Sequence, residues 1–274
     1  MAAAPELPDP DDTTDALAQA YRQAEAYAQE LHRLYREHRA TRAELEARIR
    51  EVEHYQQQLL AYARDLAAVY QRLEGTYLAT LEALARAVES RDYETGGHSQ
   101  RVVHYAVRTG QQFGLKPAEL KTLRYGALLH DMGKIAIPDA VLLKPGRLDA
   151  REWEIMRRHP EIGYWFLQDI EFLAGALPIV RYHHERFDGR GYPAGLAGEA
   201  IPLGARIFSV ADAFDAMTAD RPYRQGLPVE VALEEIRRGS GSQFDPQIVE
   251  AFLAMIEQAQ EIRAGRSSVE LDDG

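Results

Sequence analysis

The stretch ALLHDMGKIAIP, residues 127–138, decides how the chain is read. Its apolar run Ala127-Leu128-Leu129 belongs on the buried stripe of a helix, and the polar doublet His130-Asp131 follows at once. Gly133 predicts the end of that helix, so both polar side chains reach an interior cleft from a helix terminus. Outward from this point, every periodic segment to about residue 260 reads as helix, and no pair of alternating runs suggests a sheet. His98 stands four residues before Val102 and eight before Ala106, which places it on an apolar helix face pointing inward. Glu94 sits one turn above it if that helix extends so far. Asp212 comes from the apolar helix Ile207–Met217. Asp149 with Glu152 forms a capping box that opens a helix through Trp153, Ile155 and Met156, expected to end at His159-Pro160.

Glu94, His98, His130, Asp131, His159, His183, His184 and Asp212 thus fall at the breaks between helical segments. Imidazole and carboxylate are the ligands that iron, manganese and zinc accept, and this set is too large for one ion. A buried cluster of such groups is costly to keep without a metal. Asp131 is the natural bridge, since a carboxylate can hold two cations about 3.5–4 Å apart. The adjacent His183 and His184 point in different directions unless irregular backbone follows the first. Of the 9 histidines, His32, His38 and His54 lie in a polar helical stretch and His104 has no partner at ligand spacing, so these read as structural.

Composition sets the outer bounds. The 274 residues, 46% hydrophobic and 27% charged, suffice for one or two domains with a sizeable core. With 0 cysteines the metals must be held by nitrogen and oxygen, which fits a cytoplasmic protein. No signal-like segment or membrane-length apolar run is visible. A net charge of −11 argues against nucleic-acid polymers and anionic lipid surfaces as partners, but leaves room for a small anion in a local cationic pocket.

Before the ligands lies a heptad pattern. One seam runs Leu17, Ala24, Leu31, His38, Leu45, Val52, Leu59, Leu66, Leu73, and the second runs Tyr21, Ala28, Tyr35, Arg42, Ile49, Gln56, Ala63, Tyr70, Tyr77. Spacing of seven sustained this long predicts a coiled coil, on the order of 90 Å if straight. It implies a parallel homodimer, with a hairpin folded back near Arg36–Arg42 as the alternative. Gly75 offers a flexion point. The expected organisation is a disordered 1–15, a coiled coil over 16–77, a catalytic domain over 78–260 and a flexible tail over 261–274. The fold class is all-α: a long N-terminal helix followed by a helical bundle.

Six blocks in one order then carry a resemblance: RDYETGGHSQRV at 91–102, HDMGKIAIP at 130–138, LLKPGRL at 142–148, HHERFDGRGYP at 183–193, IPLGARIFSVADAFDAMTADRPYR at 201–224 and GSQFDP at 241–246. Residues 91–246 resemble an HD-GYP domain, the cyclic di-GMP phosphodiesterase branch of the HD phosphohydrolase superfamily. The resemblance implies an HD-type helical bundle holding two or three divalent ions, iron or manganese, that opens cyclic di-GMP to pGpG and in many members onward to GMP. It assigns His98, His130, Asp131, His159, His183, His184 and Asp212 as metal ligands, with Glu94 as the additional carboxylate of a third metal. Lys134 is expected to meet a phosphate oxygen, Arg221 and Arg224 to grip the nucleotide, and Tyr192 in the glycine-rich loop to shape the pocket.

Metal-assisted hydrolysis, with Asp131 and Lys134 at its centre, is the expected chemistry. The rivals are a cyclic-dinucleotide receptor that turns over too slowly to matter and signals through its coiled coil, and a hydrolase of another cyclic dinucleotide such as cyclic GMP-AMP. An upstream signalling protein is the expected source of input to the coiled coil.

Overall fold

The computed structural model describes residues 10–91, 97–220 and 225–269, with side chains over 14–91, 97–220 and 225–259. Among the described residues there is no strand, only isolated bridges at Asp188–Ala197 and Ser240–Phe244. The helices are α1 (Pro10–Glu89), α2 (His98–Phe113), α3 (Pro117–Leu129), α4 (Asp139–Leu142), α5 (Ala150–Met156), α6 (His159–Leu167), α7 (Leu177–Tyr182), α8 (Leu203–Thr218), α9 (Val229–Arg238) and α10 (Pro246–Val269). Short 3-10 turns lie at Met132–Ala136, Glu171–Leu173 and Gly198–Ala200. The all-α expectation holds.

The chain divides into two units, Met1–Glu74 and Gly75–Gly274. In the first, α1 leaves the heptad seam exposed: Leu17 is 61% accessible, Leu31 70%, Leu59 68% and Leu66 71%. Ion pairs within the helix, such as Arg42 to Glu46 at 2.9 Å, add a few tenths of a kcal/mol each. The helix passes unbroken through residues 36–42, so the folded-back hairpin is not formed. It also begins at Pro10, earlier than residue 16, because proline at the first helical position and acids in the first turn favour a start there. The expected disorder of 1–9 lies outside the described residues. At the other end α10 stays helical to Val269, beyond the expected start of a loose tail at 261, and residues 270–274 lie outside the description.

The second unit is built on two cores. The first packs Val102 and Ala106 of α2, Leu123 and Ala127 of α3, Phe208, Ala211 and Phe214 of α8, and Phe252 of α10. The second packs Leu81 and Ala85 of α1 with Tyr125, Leu128 and Leu129 of α3 and Leu173, Leu177 and Val180 beyond it. Helix α3 serves both because its apolar residues cover more than one face. Where it ends, at Leu129, the next side chains enter the seam between the cores.

Two sequence boundaries need correction. The helix opened by the Asp149 capping box stops at Met156, and His159-Pro160 starts α6 instead of ending α5. Proline is tolerated in a first turn, where its missing N–H has no intrahelical partner anyway. The capping box itself is present, with Asp149 Oδ1 accepting from the Glu152 N–H at 2.9 Å and Glu152 Oε2 accepting from the Asp149 N–H at 2.8 Å. Gly133 does not stop a helix either, since α3 has already ended and Gly133 lies inside the 3-10 turn. A Cβ there would overlap the backbone of His159 and Gly163, so glycine is required by close approach to α6.

Candidate metal centre

Four elements deliver the side chains. His98 opens α2, His130 caps the end of α3, His159 opens α6, and His183 caps the end of α7. All four are at most 4% accessible, a burial that polar rings tolerate only with partners. Each has one. The Nδ1 atoms of His130, His159 and His183 donate to the carbonyl oxygens three residues earlier, of Ala127 at 2.8 Å, Met156 at 2.7 Å and Val180 at 2.8 Å. Since a carbonyl only accepts, Nδ1 carries the proton in each ring and Nε2 presents its lone pair inward. In His98 the same work falls to Asp215, whose Oδ2 accepts from Nδ1 at 2.8 Å. Arg101 fixes that carboxylate from its other side, with Nε 2.6 Å from Oδ1.

The inward atoms form two groups, His98 with His130 and Asp212, and His159 with His183 and His184; within each, the candidate ligand atoms all lie within 4.8 Å of one another. Asp131 lies between them, Oδ2 3.0 Å from His130 Nε2 and Oδ1 3.3 Å from His159 Nε2. The Nε2 atoms of His159 and His183 face each other at 3.2 Å. With both Nδ1 protons committed outward, two lone pairs converge there, an arrangement that a cation relieves. Six donors of nitrogen and oxygen in two groups, oriented from behind by carbonyls and a carboxylate, fit divalent cations of the iron, manganese and zinc type.

The electrostatics of the His183–His184 pair agree, whereas at His130 burial is outweighed by Asp131 and Asp212, so that ring is raised. Burial drives His183 well below the ordinary imidazole range and His184 down to about 3, with neighbouring histidines adding to the effect. Both rings are therefore neutral at physiological pH, as ligands must be. Burial alone would raise Asp131, but His130 and Lys134 outweigh it and hold the acid well below its usual range. Asp215 is likewise held down, burial being outweighed by the bonds from His98 and Arg101.

His183 and His184 do converge on one group, because α7 ends at Tyr182 and the irregular backbone after it turns the second ring. His184 stacks on Tyr192, ring centres 4.7 Å apart, and the Arg157 guanidinium lies 5.4 Å from the far ring's centre. Lys134 bonds Asp131 Oδ2 at 2.8 Å. Helix α2 starts at His98 after a left-handed Gly97 with φ 92°. Glu94, Arg221 and Arg224 lie outside the described residues. His104 is exposed, as are His32, His38 and His54 on α1.

Several supports were not read from the sequence. Asp215 follows Asp212 by three residues on α8, the spacing that puts both on one helix face, so that signal was available. Phe208 backs the site, 4.6 Å from the His130 ring and 5.7 Å from His183. Glu185, 4% accessible, accepts from the N–H groups of Ala194 at 2.7 Å and of Gly195 and Leu196 at 3.0 Å, folding the glycine-rich loop around one carboxylate. Gly191 sits against backbone of His184, Glu185 and Arg186 that any Cβ would meet. Beside the histidines opens a cavity of about 560 Å³, walled by Arg157, Arg186, Arg190, Tyr192, Ser209 and Asp212 among others.

Residues 82–248 match the HD domain family. The chain is similar to the cyclic di-GMP phosphodiesterase response regulator RpfG of Xanthomonas campestris pv. campestris strain 8004, 45% identical over 213 residues covering 77% of this chain and 56% of that protein. It is similar to the 3'3'-cGAMP-specific phosphodiesterase 2 of Vibrio cholerae, 43% identical over 66% of this chain and 35% of that protein. A cyclic di-GMP phosphodiesterase of Thermotoga maritima is 41% identical over 66% of this chain and 50% of its own length. The chain thus spans about a third to a little over half of these curated relatives. Among solved structures, the HDG"Y"P protein Bd1817 of Bdellovibrio bacteriovorus shares the fold with TM-score 0.50 and 22% identity, over 60% of this chain and 53% of that one. With the family match spanning residues 82–248 and Asp131 of the His130-Asp131 doublet lying between the two candidate ligand groups, the chain belongs to the HD domain family.

Proposed function

We propose that this chain is a metal-dependent phosphodiesterase that hydrolyses cyclic di-GMP to pGpG or onward to GMP, with two or three divalent ions, iron or manganese, as cofactors. The observation that carries this reading is the pair of ligand groups joined by Asp131 and opening on a cavity of about 560 Å³. That volume lies within the range of small-molecule sites, about 300–1,000 Å³.

His98, His130 and Asp212 would hold one ion, His159, His183 and His184 another, and Asp131 would reach both; Glu94 is the proposed carboxylate for a third. Bound cations supply charge neutralisation at the phosphate and acidify water near neutral pH. The chain's own groups do the rest. The Nδ1 donors keep four Nε2 lone pairs aimed at the centre through turnover. Lys134, paired with Asp131 at 2.8 Å, places a positive charge beside the bridging acid, where a phosphate oxygen would share it. Arg157 and Arg190 make no ion pair among the described residues and give this acidic protein a local cationic cavity wall. Arg221 and Arg224 are the proposed grips on the nucleotide, and Tyr192, stacked on His184, sets one wall of the pocket.

A relative named for 3'3'-cGAMP at 43% identity favours a second reading, hydrolysis of cyclic GMP-AMP by the same centre. Side-by-side turnover of the two dinucleotides separates the readings: a faster rate on cyclic di-GMP supports the first. The exposed heptad seam supports a parallel homodimer through 16–77, able to pass on a signal from an upstream protein. Among the described residues no helix is long and apolar enough to cross a membrane.

A further inference from the structure

The C-terminal end of α1 and the residues just after it meet two of the elements that bear candidate ligands. Leu81 and Ala85 anchor this part of the helix in the second core. Beyond them Glu89 Oε1 accepts from the backbone N–H of Ser99 at 2.6 Å. Helix α2 has no side-chain cap of its own, since Gly97 offers none, and Ser99 adjoins His98. Glu89 therefore satisfies an orphan donor and places negative charge at the start of the helix that presents His98.

Two residues on, Arg91 reaches the other element. Its NH1 donates to the carbonyl oxygen of Ile135 at 2.5 Å and of Lys134 at 3.4 Å, and its NH2 to that of Ile137 at 3.4 Å and to Asp139 Oδ1 at 2.7 Å. These carbonyls close the 3-10 turn that follows Asp131 and carries Lys134. Between the two attachments the helix end stands off from Asp131, Ser99 and Lys134 by a void of only about 10 Å³.

We propose that Glu89 and Arg91 are positioning residues, which from one helix end hold the His98 helix and the Asp131–Lys134 turn at a fixed separation. His98 and the bridging Asp131 are then held in register with each other. The catalytic part of this proposal rests on the phosphodiesterase reading; the cation-binding part does not.

The test uses the full chain with Arg91→Met, Arg91→Lys and Glu89→Gln, loaded with Co²⁺ as the probe. Three readouts are taken: Co²⁺ affinity by chelator competition, melting of the chelator-stripped protein, and kcat and KM on bis(p-nitrophenyl) phosphate. Arg91→Met should weaken the tighter-held Co²⁺ and lower kcat by about 10-fold each, with KM within about 2-fold, the low end of what outer-shell changes do. The stripped protein should melt within a few degrees of wild type. Arg91→Lys should recover part of the loss, and Glu89→Gln, which keeps an acceptor but not the charge, should cost about 2- to 5-fold. The proposal is overturned if Co²⁺ affinity and kcat stay within about 2-fold of wild type in a folded Arg91→Met. It is equally overturned if the losses simply track a lowered melting temperature in every variant. Should wild type bind Co²⁺ yet cleave no phosphodiester, the phosphodiesterase reading fails, while the affinity comparison still decides positioning.

Discussion

Replacing Asp215 with asparagine removes one charge and no volume at a residue 1% accessible, and it should unmake one half of the metal centre. In the native chain Asp215 Oδ2 accepts the His98 Nδ1 proton at 2.8 Å while Arg101 Nε holds Oδ1 at 2.6 Å. An asparagine must keep its oxygen for one of these donors. If Arg101 takes it, the amide NH₂ faces Nδ1, and the imidazole proton moves to Nε2, the atom that points at Asp212 from 3.5 Å. His98 is then lost as a ligand. Changes of this outer-shell kind cost about 10- to 100-fold in metal affinity, about 1.4–2.7 kcal/mol. The assay is competition between stripped protein and a calibrated chelator for Co²⁺, resolved into its tighter and weaker sites. One site should weaken by that factor, and the site at His159, His183 and His184 should keep its affinity. Affinities within about 2-fold of wild type at both sites, in a folded variant, would refute the tautomer argument.

The depressed pKa of His184, about 3 against an ordinary 6.5, means the unfolded chain binds more protons than the folded one between those values. Stability of the stripped protein should therefore fall as pH drops below about 6.5, by about 1.4 kcal/mol per pH unit at most from this ring, with buried His183 pulling the same way and the raised His130 pulling against it; urea midpoints that fall no more steeply from pH 7 to pH 5 in wild type than in His184→Asn would count against it. Gly133→Ala should destabilise by about 3 kcal/mol or more, because the added carbon meets backbone rather than a movable side chain. Gly75→Ala, with nothing within 4 Å of the added carbon, should instead stabilise by up to about 1 kcal/mol, and thermal melts of the pair check both signs. Glu185→Gln should cost about 1.5–3 kcal/mol and speed proteolytic cutting at residues 194–196, since one amide oxygen cannot replace a carboxylate that accepts from three N–H groups.

The fold was legible because its signals are periodic. Val102 and Ala106 behind His98, and the apolar run before His130, place those rings facing inward from residue type and spacing alone. The clustering of these side chains was legible because helix ends show as punctuation and because six motif blocks resemble one family. What stayed hidden depends on contacts that residue type does not encode. Backbone carbonyls of Ala127, Met156 and Val180 fix three tautomers, and no side chain announces them. Gly133 and Pro160 look like stops in the sequence because both residues end helices in isolation, whereas here Gly133 serves a close approach and Pro160 a first turn. Glu185 gave no sign of its role, since the N–H groups it collects lie nine to eleven residues away in the chain.

The central claim is that imidazoles and acids from four helix termini, the turn after α3 and one helix interior gather cations that turn water against a cyclic dinucleotide. It is tested most directly on anaerobically purified protein, by metal analysis coupled to chromatography of its products from cyclic di-GMP. The account expects at least two iron or manganese ions per chain and the appearance of pGpG or GMP, both abolished when a chelator strips the metal. Metal-replete protein that leaves cyclic di-GMP intact, or full turnover by metal-free protein, would contradict it.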